Sequence, residues 1–203
     1  MPPKRRLTAE DDRIAHWVAR WAPVTSMQVA QRFGRSRRTA YRRLQVLRDA
    51  QLLTLTEPVG SLPGVLYPAP RLSRHGRHPM HGAKLANHLV AVQRVIAYEG
   101  DGRALLAAHE LHEHPGLLDQ LPHHRDRPLR PSVWVLGDPA CAIYPAMRGS
   151  EEDRRVRAHL ASAPQNGLAY ELLIEPDTVL EVDLPAHITV LAVDLADVRD
   201  ASA

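Results

Sequence analysis

Residues 34–53 read GRSRRTAYRRLQVLRDAQLL, and this stretch decides the fold of the N-terminal half of the chain. Ala40, Leu44 and Leu47 recur at steps of four and three residues, which is the spacing of one buried face of an α-helix. The stretch also holds six arginines and a single acidic residue. It therefore predicts a helix, capped by Ser36, that buries one face and carries a strongly basic second face.

The basic face lies opposite the apolar face on a helical wheel. Arg38, Tyr41, Arg42 and Gln45 fall on that side. A solvated face usually mixes charges of both signs, because i,i+4 pairs of opposite charge stabilise a helix by roughly 0.2–0.5 kcal/mol each. This face offers no such pairs within the helix, which indicates a negatively charged ligand outside the protein.

The elements around this helix predict a winged helix-turn-helix domain over residues 1–70. A first helix is expected to begin at Thr8, and a second to begin at Thr25 or Ser26 and to end at Gly34. After the basic helix, AQLLTLTEP and VLYPAP are β-prone and flank the turn VGSLPG. The hairpin that they form would be the wing.

The basic helix is predicted to read double-stranded DNA in the major groove, where recognition helices present their N-terminal side chains to base edges. Its side chains divide into those expected to reach bases and those expected to reach phosphates. The first set is Arg37, Arg38, Tyr41 and Arg42, the second is Arg35, Arg43 and Arg48, and Ser36 and Thr39 complete the predicted DNA contacts.

Two alternatives stay open for the N-terminal half. Lys4, Arg5 and Arg6 form either a flexible arm that enters a minor groove or a solvated terminus. A winged helix can also bind a protein partner, in which case the chain is an adaptor and not a DNA-binding protein.

Charge divides the sequence in two. Residues 1–78 hold fifteen Lys or Arg against five Asp or Glu, whereas residues 79–203 hold eleven against eighteen. Residues 71–82 are rich in Pro, Gly and His, which predicts a linker. The sequence thus predicts a DNA-binding domain, a linker, and a domain over residues 83–203 that does not meet the polyanion.

The C-terminal domain is expected to be a small α/β domain, because helical and strand-like stretches alternate. GAKLANHLVAVQRVIAYEG is amphipathic, and SEEDRRVRAHLASAP begins with Ser150 as a helix cap. RALLAAHEL, SVWVLG, CAIYPA, LAYELLIEP and HITVLAVDL are strand-like, and PDTVLEVDLP (176–185) is expected to form a short helix. The class of the whole chain is therefore α+β. A homodimer organised by this domain is expected, since a single DNA-binding module buries only roughly 600–1,000 Å².

Composition excludes several kinds of site. Cys141 is the single cysteine, so the chain forms neither an internal disulfide nor a cysteine-only zinc site. No apolar run reaches the roughly 18 residues of a membrane span, which predicts a soluble cytoplasmic protein without a membrane partner. The histidines at 109–124 have no spacing tied to a metal mechanism, so no metal or cofactor is predicted, although a site there stays open.

The motifs also occur in an order that is found in a known family. LTAEDDRIAHWVARWAPVTSMQVAQRFGRSRRTAYRRLQVLRDAQLL is followed by a wing, by RLSRHGRHPMHG and by LANHLVAVQRVIAY. This order resembles the replication-relaxation proteins of actinobacterial plasmids and integrative elements. Their winged helix precedes a helix carrying Leu, His and Val, here Leu85–Val92 with His88 at the histidine position. A Glu on the next strand and an Arg-Pro-Asp strand follow, matched here by Glu110 and by residues 130–132.

The resemblance implies a restriction-endonuclease-like core in the second domain. For a dimeric DNA-binding protein of this kind, the expected function is transcriptional regulation or control of plasmid or mobile-element replication and transfer. An active core of this type has an Asp after the Pro and a Glu-x-Lys pair on the next strand, which bind a divalent metal and activate water. Here Ser132 stands at the Asp position, and Tyr144 and Ala146 stand at the other two. The resemblance therefore implies a degenerate, non-catalytic core that acts as a scaffold.

An enzyme is the remaining alternative: a metal-dependent nuclease or relaxase accessory whose active site uses a different register. The carboxylates that such a register would recruit are Asp138, Glu171, Glu175, Asp177, Glu181 and Asp183.

Overall fold

A computed structural model of the chain describes residues 7–58, 64–70, 72, 80–121, 123–124, 127–147 and 150–198. The predicted arm at Lys4, Arg5 and Arg6, the tip of the predicted wing at 59–63 and most of the predicted linker lie outside these residues. The described residues up to Leu85, together with Val198, form one compact unit, and Ala86–Asp197 form a second.

Three helices make up most of the first unit. They are α1 (Ala9–Trp21), α2 (Ser26–Arg32) and α3 (Arg37–Asp49). The predicted caps are confirmed, because the hydroxyl oxygens of Thr8, Thr25 and Ser36 each accept a hydrogen bond from the backbone N–H three residues later. Such a bond satisfies one of the N–H groups that a helix start leaves without a partner.

Local sequence also explains where α2 ends and which faces of α1 and α3 are buried. Gly34 follows α2 with a φ of +58°, a left-handed conformation that glycine adopts without strain. The predicted apolar face of α3, formed by Ala40, Leu44 and Leu47, is confirmed as buried. α1 likewise buries one apolar face, which consists of Ile14, Trp17, Val18 and Trp21.

Two short strands complete the first unit. β1 (Leu53–Leu55) and β2 (Leu66–Pro68) pair in antiparallel fashion. Backbone hydrogen bonds of 3.2 and 2.8 Å join Val24 and Leu66, so the hairpin is tied to the segment between α1 and α2.

The rest of the chain forms a five-stranded sheet. One long helix precedes its first strand, and shorter helices lie in the connections between strands. The helices are α4 (Gly82–Gly100), α5 (Pro115–Leu118) and α6 (Glu151–Leu160), with 3-10 turns at Leu111–Glu113 and Leu195–Val198. The sheet strands are β3 (Leu105–Ala107), β6 (Val133–Val135), β7 (Cys141–Pro145), β8 (Ala169–Ile174) and β9 (Ile188–Ala192), while β4 (His123–His124) and β5 (Arg127–Pro128) form a separate pair.

The sheet is mixed, in the order β3-β6-β7-β8-β9. The first three strands are antiparallel, and β7, β8 and β9 run parallel. α6 makes the crossover between β7 and β8, and it begins at the predicted cap, Ser150, whose capping box with Asp153 is complete. The expected α+β class, with N-terminal helices followed by a sheet, is confirmed at this level.

One predicted element is wrong. The connection from β8 to β9 contains no helix, and residues 176–185 form turns and irregular backbone instead. Thr178, Val179 and Val182 are β-branched and lose side-chain freedom in a helix. Leu180 and Leu184 pack against the sheet individually, whereas Val179 is 80% exposed, so the segment has no continuous apolar face.

Side chains alternate between the two faces of the sheet along each strand, and β6, β7 and β8 are buried on both faces, whereas β9 is largely exposed. One face packs in a cluster with Leu160 of α6, and its strand residues are Trp134, Ala142, Tyr144, Tyr170, Leu172, Ile174 and Ile188. The other face carries Cys141, Ile143, Glu171 and Leu173, which are also buried. In the part of the chain that the structure describes, no helix has both the length and the apolar character needed to cross a bilayer.

Candidate nucleic-acid interface

The two faces of α3 differ sharply in exposure. Val46 joins Ala40, Leu44 and Leu47 on the buried side, an addition that the stripe alone did not predict. The opposite side is open to solvent and includes Arg37, Arg38, Thr39, Tyr41 and Arg42, with Arg35 and Ser36 just before the helix. Tyr41 is 52% exposed and lies on the same side of α3 as these arginines.

Two hydrogen bonds between Ser36 and Thr39 cap the start of α3. The Ser36 hydroxyl accepts a hydrogen bond from the Thr39 backbone N–H at 3.3 Å and donates one to the Thr39 hydroxyl at 2.9 Å. Both residues are among the predicted DNA contacts, and here they fix the first turn, which carries the exposed arginines. A groove of about 340 Å³ opens beside this turn, lined by Thr39, Arg42, Arg43 and Val46.

Two of the predicted phosphate contacts already have carboxylate partners from α1. The Arg35 Nε donates to Glu10 Oε1 at 2.8 Å, and the Arg43 Nη1 donates to Asp11 Oδ2 at 3.4 Å. Both carboxylates lie in the acidic first turn of α1, where negative charge also interacts favourably with the helix dipole. Partners 25 and 32 residues apart are not encoded in the periodicity of either helix.

The other basic side chains are differently placed. Arg38 and Arg42 are exposed and form no ion pair with any described residue, and neither does the half-buried Arg48. Arg38 and Arg42 are one helical turn apart on the same side of α3, with Tyr41 beside them. The structure thus brings together Arg38, Tyr41 and Arg42 as an exposed set, which we call the reading face. The predicted contacts at Lys4, Arg5 and Arg6 lie outside the described residues.

The positions matched to a nuclease site hold no carboxylate. Tyr144 is buried, and its hydroxyl donates to the Leu129 carbonyl at 2.7 Å; Ala146 is buried as well. The backbone N–H of Ser132 donates to the Ile143 carbonyl at 2.9 Å. Among the described residues, no three His, Cys, Asp or Glu side chains come together in a way that would hold a metal ion.

Glu110 is not on a strand, contrary to the match made from sequence. β3 ends at Ala107, and Glu110 precedes the 3-10 turn, where its carboxylate accepts a hydrogen bond from the Ala107 backbone N–H at 2.7 Å. The reason is local: the carboxylate closes the turn that ends the strand. The histidines at 109, 112 and 114 lie in and around this turn, and the side chains of His123 and His124 lie outside the described residues.

A polar cluster around Glu171 in the second unit was not predicted from the sequence. Glu171, on β8, is 8% exposed and accepts two hydrogen bonds from Arg94 of α4, at 2.8 and 3.1 Å. It also accepts a hydrogen bond from the Tyr98 hydroxyl. Burial, together with the Glu171 carboxylate, raises the pKa of Tyr98 to about 12. Arg94 and Tyr98 stand four residues apart on α4, so the sequence could have placed them on the same face of that helix. It could not have identified Glu171 as their shared partner, because Glu171 is 77 residues from Arg94.

Cys141 borders this cluster and is expected to be chemically inert. It is 7% exposed, and burial, with the nearby Glu171 charge, raises its pKa from 9.0 to about 12. Since the thiolate is the reactive form, this raised pKa and the burial of the sulfur both lower its reactivity at pH 8. Labelling with a chromogenic disulfide reagent should therefore be slow in the native protein and immediate in urea. Rapid labelling of the native protein would contradict this placement of Cys141.

No family model matches the sequence, and no curated protein and no solved structure matches it.

Proposed function

We propose that this chain is a sequence-specific double-stranded DNA-binding protein whose first unit is a winged helix-turn-helix. In this proposal α3 is the recognition helix, and the β1–β2 hairpin is the base of the wing. The observation that carries it is the reading face, because Arg38 and Arg42 have no carboxylate partner among the described residues and stand beside an exposed Tyr41. The exposed, basic start of α3 can enter the major groove of DNA, as recognition helices do. There an arginine contacts a guanine base through two hydrogen bonds.

The second unit is proposed to be a non-catalytic scaffold that makes the protein a homodimer. A mixed sheet enclosed by helices is compatible with the degenerate restriction-endonuclease-like core that the resemblance implies. The absence of carboxylates at Ser132, Tyr144 and Ala146 supports a role without metal-dependent cleavage. Dimerisation would double the buried DNA surface, which one module leaves small.

The biological role proposed is transcriptional regulation, or control of plasmid or mobile-element replication and transfer, in the cytoplasm. The resemblance to replication-relaxation proteins supports the second of these. Both roles need discrimination between sequences, so they share one first test.

That test is selection of duplexes from a random library, followed by binding titrations by fluorescence anisotropy. We expect one enriched motif, and an affinity that falls with salt with a slope of about −0.9 for each phosphate neutralised. The same duplex incubated with Mg²⁺ should stay intact. Failure to bind any duplex at about 50 mM salt would refute DNA binding, and cleavage would refute the scaffold role.

A further inference from the structure

The arginines around the reading face fall into two groups with different surroundings. Arg35 and Arg43 are held by Glu10 and Asp11, whereas Arg38 and Arg42 meet no carboxylate among the described residues. Both held arginines were predicted to contact phosphates.

A carboxylate and a phosphate compete for the same guanidinium. Both are anionic oxygen acceptors, and arginine binds either one with the same N–H donors. In the first ion pair, Glu10 accepts from the Arg35 Nε, and the Arg35 side chain remains 48% exposed while Glu10 is 18% exposed. A phosphate that binds the exposed part of Arg35 therefore shares its guanidinium with the Glu10 carboxylate, whose negative charge opposes that binding. The Asp11 side chain is fully buried next to Arg43, and its Oδ1 has no hydrogen-bond partner within the described structure, so its charge is only partly compensated.

We propose that Glu10 and Asp11 are affinity-setting residues that compete with the DNA backbone for Arg35 and Arg43. They lower the sequence-independent part of DNA affinity and leave the discrimination between sequences to Arg38 and Arg42. This inference rests on the proposed DNA-binding function.

Glu10 is the better residue for a test because Asp11 has a second task. The Asp11 carboxylate accepts hydrogen bonds from the backbone N–H and the hydroxyl of Thr8, both at 2.8 Å, so its replacement would also weaken the start of α1. Asp12 provides a matched control. It lies in the same first turn and is exposed, and it forms no ion pair with any described residue. Glu10→Gln and Asp12→Asn therefore change net charge and helix-dipole energy alike, but only the first releases Arg35.

The experiment measures binding to the selected duplex and to an unrelated duplex over a range of salt concentrations. Glu10→Gln should raise affinity for both duplexes several-fold at low salt and by the same factor. It should also steepen the dependence of log affinity on log salt by about 0.9, the value for one added phosphate contact. Asp12→Asn should shift affinity less and leave the slope unchanged. Glu10→Gln/Arg35→Gln, which removes the pair as a whole, should return close to wild type.

Three results would overturn the inference while leaving DNA binding intact. One is a lower affinity in Glu10→Gln, which would mean that the carboxylate orients Arg35 toward the phosphate. Another is an effect equal to that of Asp12→Asn, which would reduce Glu10 to a contribution to net charge. The last is a gain confined to the selected duplex, which would assign Arg35 to base reading. If the wild-type protein binds no duplex, the proposed function itself fails and the inference fails with it.

Discussion

Replacing both Arg38 and Arg42 by alanine is expected to weaken binding to the selected duplex by about a hundredfold or more. A good guanidinium–base contact contributes about 1–3 kcal/mol of discrimination, and every 1.4 kcal/mol is about a factor of ten. Because both side chains are exposed and without ion-pair partners among the described residues, folding should be unaffected. Binding is measured by anisotropy against the selected and the unrelated duplex, and the free energy of unfolding by urea titration.

Two further variants separate reading from simple attraction. Arg38→Lys/Arg42→Lys keeps the charge but lacks the planar guanidinium, which can donate two parallel hydrogen bonds to one base. The dependence of affinity on salt should therefore be unchanged, whereas most of the difference in affinity between the selected and the unrelated duplex should be lost. Arg130→Ala/Arg154→Ala removes two exposed arginines of the second unit and controls for net charge. If this control weakens binding as much as the α3 variant, the reading face is not the recognition surface. Unchanged binding in the α3 variant would favour the protein-binding adaptor.

The parts of this fold that were predictable are those governed by local rules. The caps at Thr8, Ser36 and Ser150, and the buried stripe of α3, follow from residue type and helical spacing over one or two turns. A strand pattern likewise located the sheet. Two predictions were wrong. The expected helix at 176–185 is absent because its leucines pack separately on the core and not along one helical face. Glu110 lies beyond the end of β3, where its carboxylate closes the following turn.

The site was less predictable because its electrostatics are long-range. The exposed arginines of α3 could be read from the sequence, yet which of them meet carboxylates could not, since Glu10 and Asp11 come from another helix. The spacing of residues within α3 indicates only that its arginines have no carboxylate partners one helical turn away in the same helix. The same holds for Glu171, whose neighbours come from a helix far earlier in the sequence.

Replacing Glu171 by alanine is expected to lower the free energy of unfolding by about 3 kcal/mol. Removing one partner from a buried ion pair typically costs about 3–5 kcal/mol, because the other charge stays buried without compensation. The lower end applies here since the Arg94 side chain is 27% exposed and water can partly replace Glu171. Urea unfolding followed by circular dichroism measures the change. Asp177→Ala, an exposed carboxylate on the neighbouring loop, is the control and should change stability by less than about 0.5 kcal/mol.

The alternative assignment of Glu171, as a carboxylate recruited by a nuclease site, makes the opposite prediction. A metal ligand needs oxygen lone pairs open to a cation, whereas both Glu171 oxygens here accept hydrogen bonds from Arg94, and one also accepts from Tyr98. If Glu171→Ala left stability unchanged and abolished Mg²⁺-dependent nicking of plasmid DNA, Glu171 would belong to an active site and the structural role would be wrong.

The pH dependence of stability gives a second readout of the same cluster. Burial and the Glu171 carboxylate raise the pKa of Tyr98 from 10.0 to about 12 and that of Cys141 from 9.0 to about 12. The folded protein therefore holds both protons more tightly than the unfolded chain, so this contribution is complete below pH 9 and is lost between about pH 9 and 12. In Glu171→Ala the negative charge that helps to raise both pKa values is absent, so the loss of stability over this range should be shallower than in wild type. Parallel pH profiles for the two proteins would place Tyr98 and Cys141 outside the influence of Glu171.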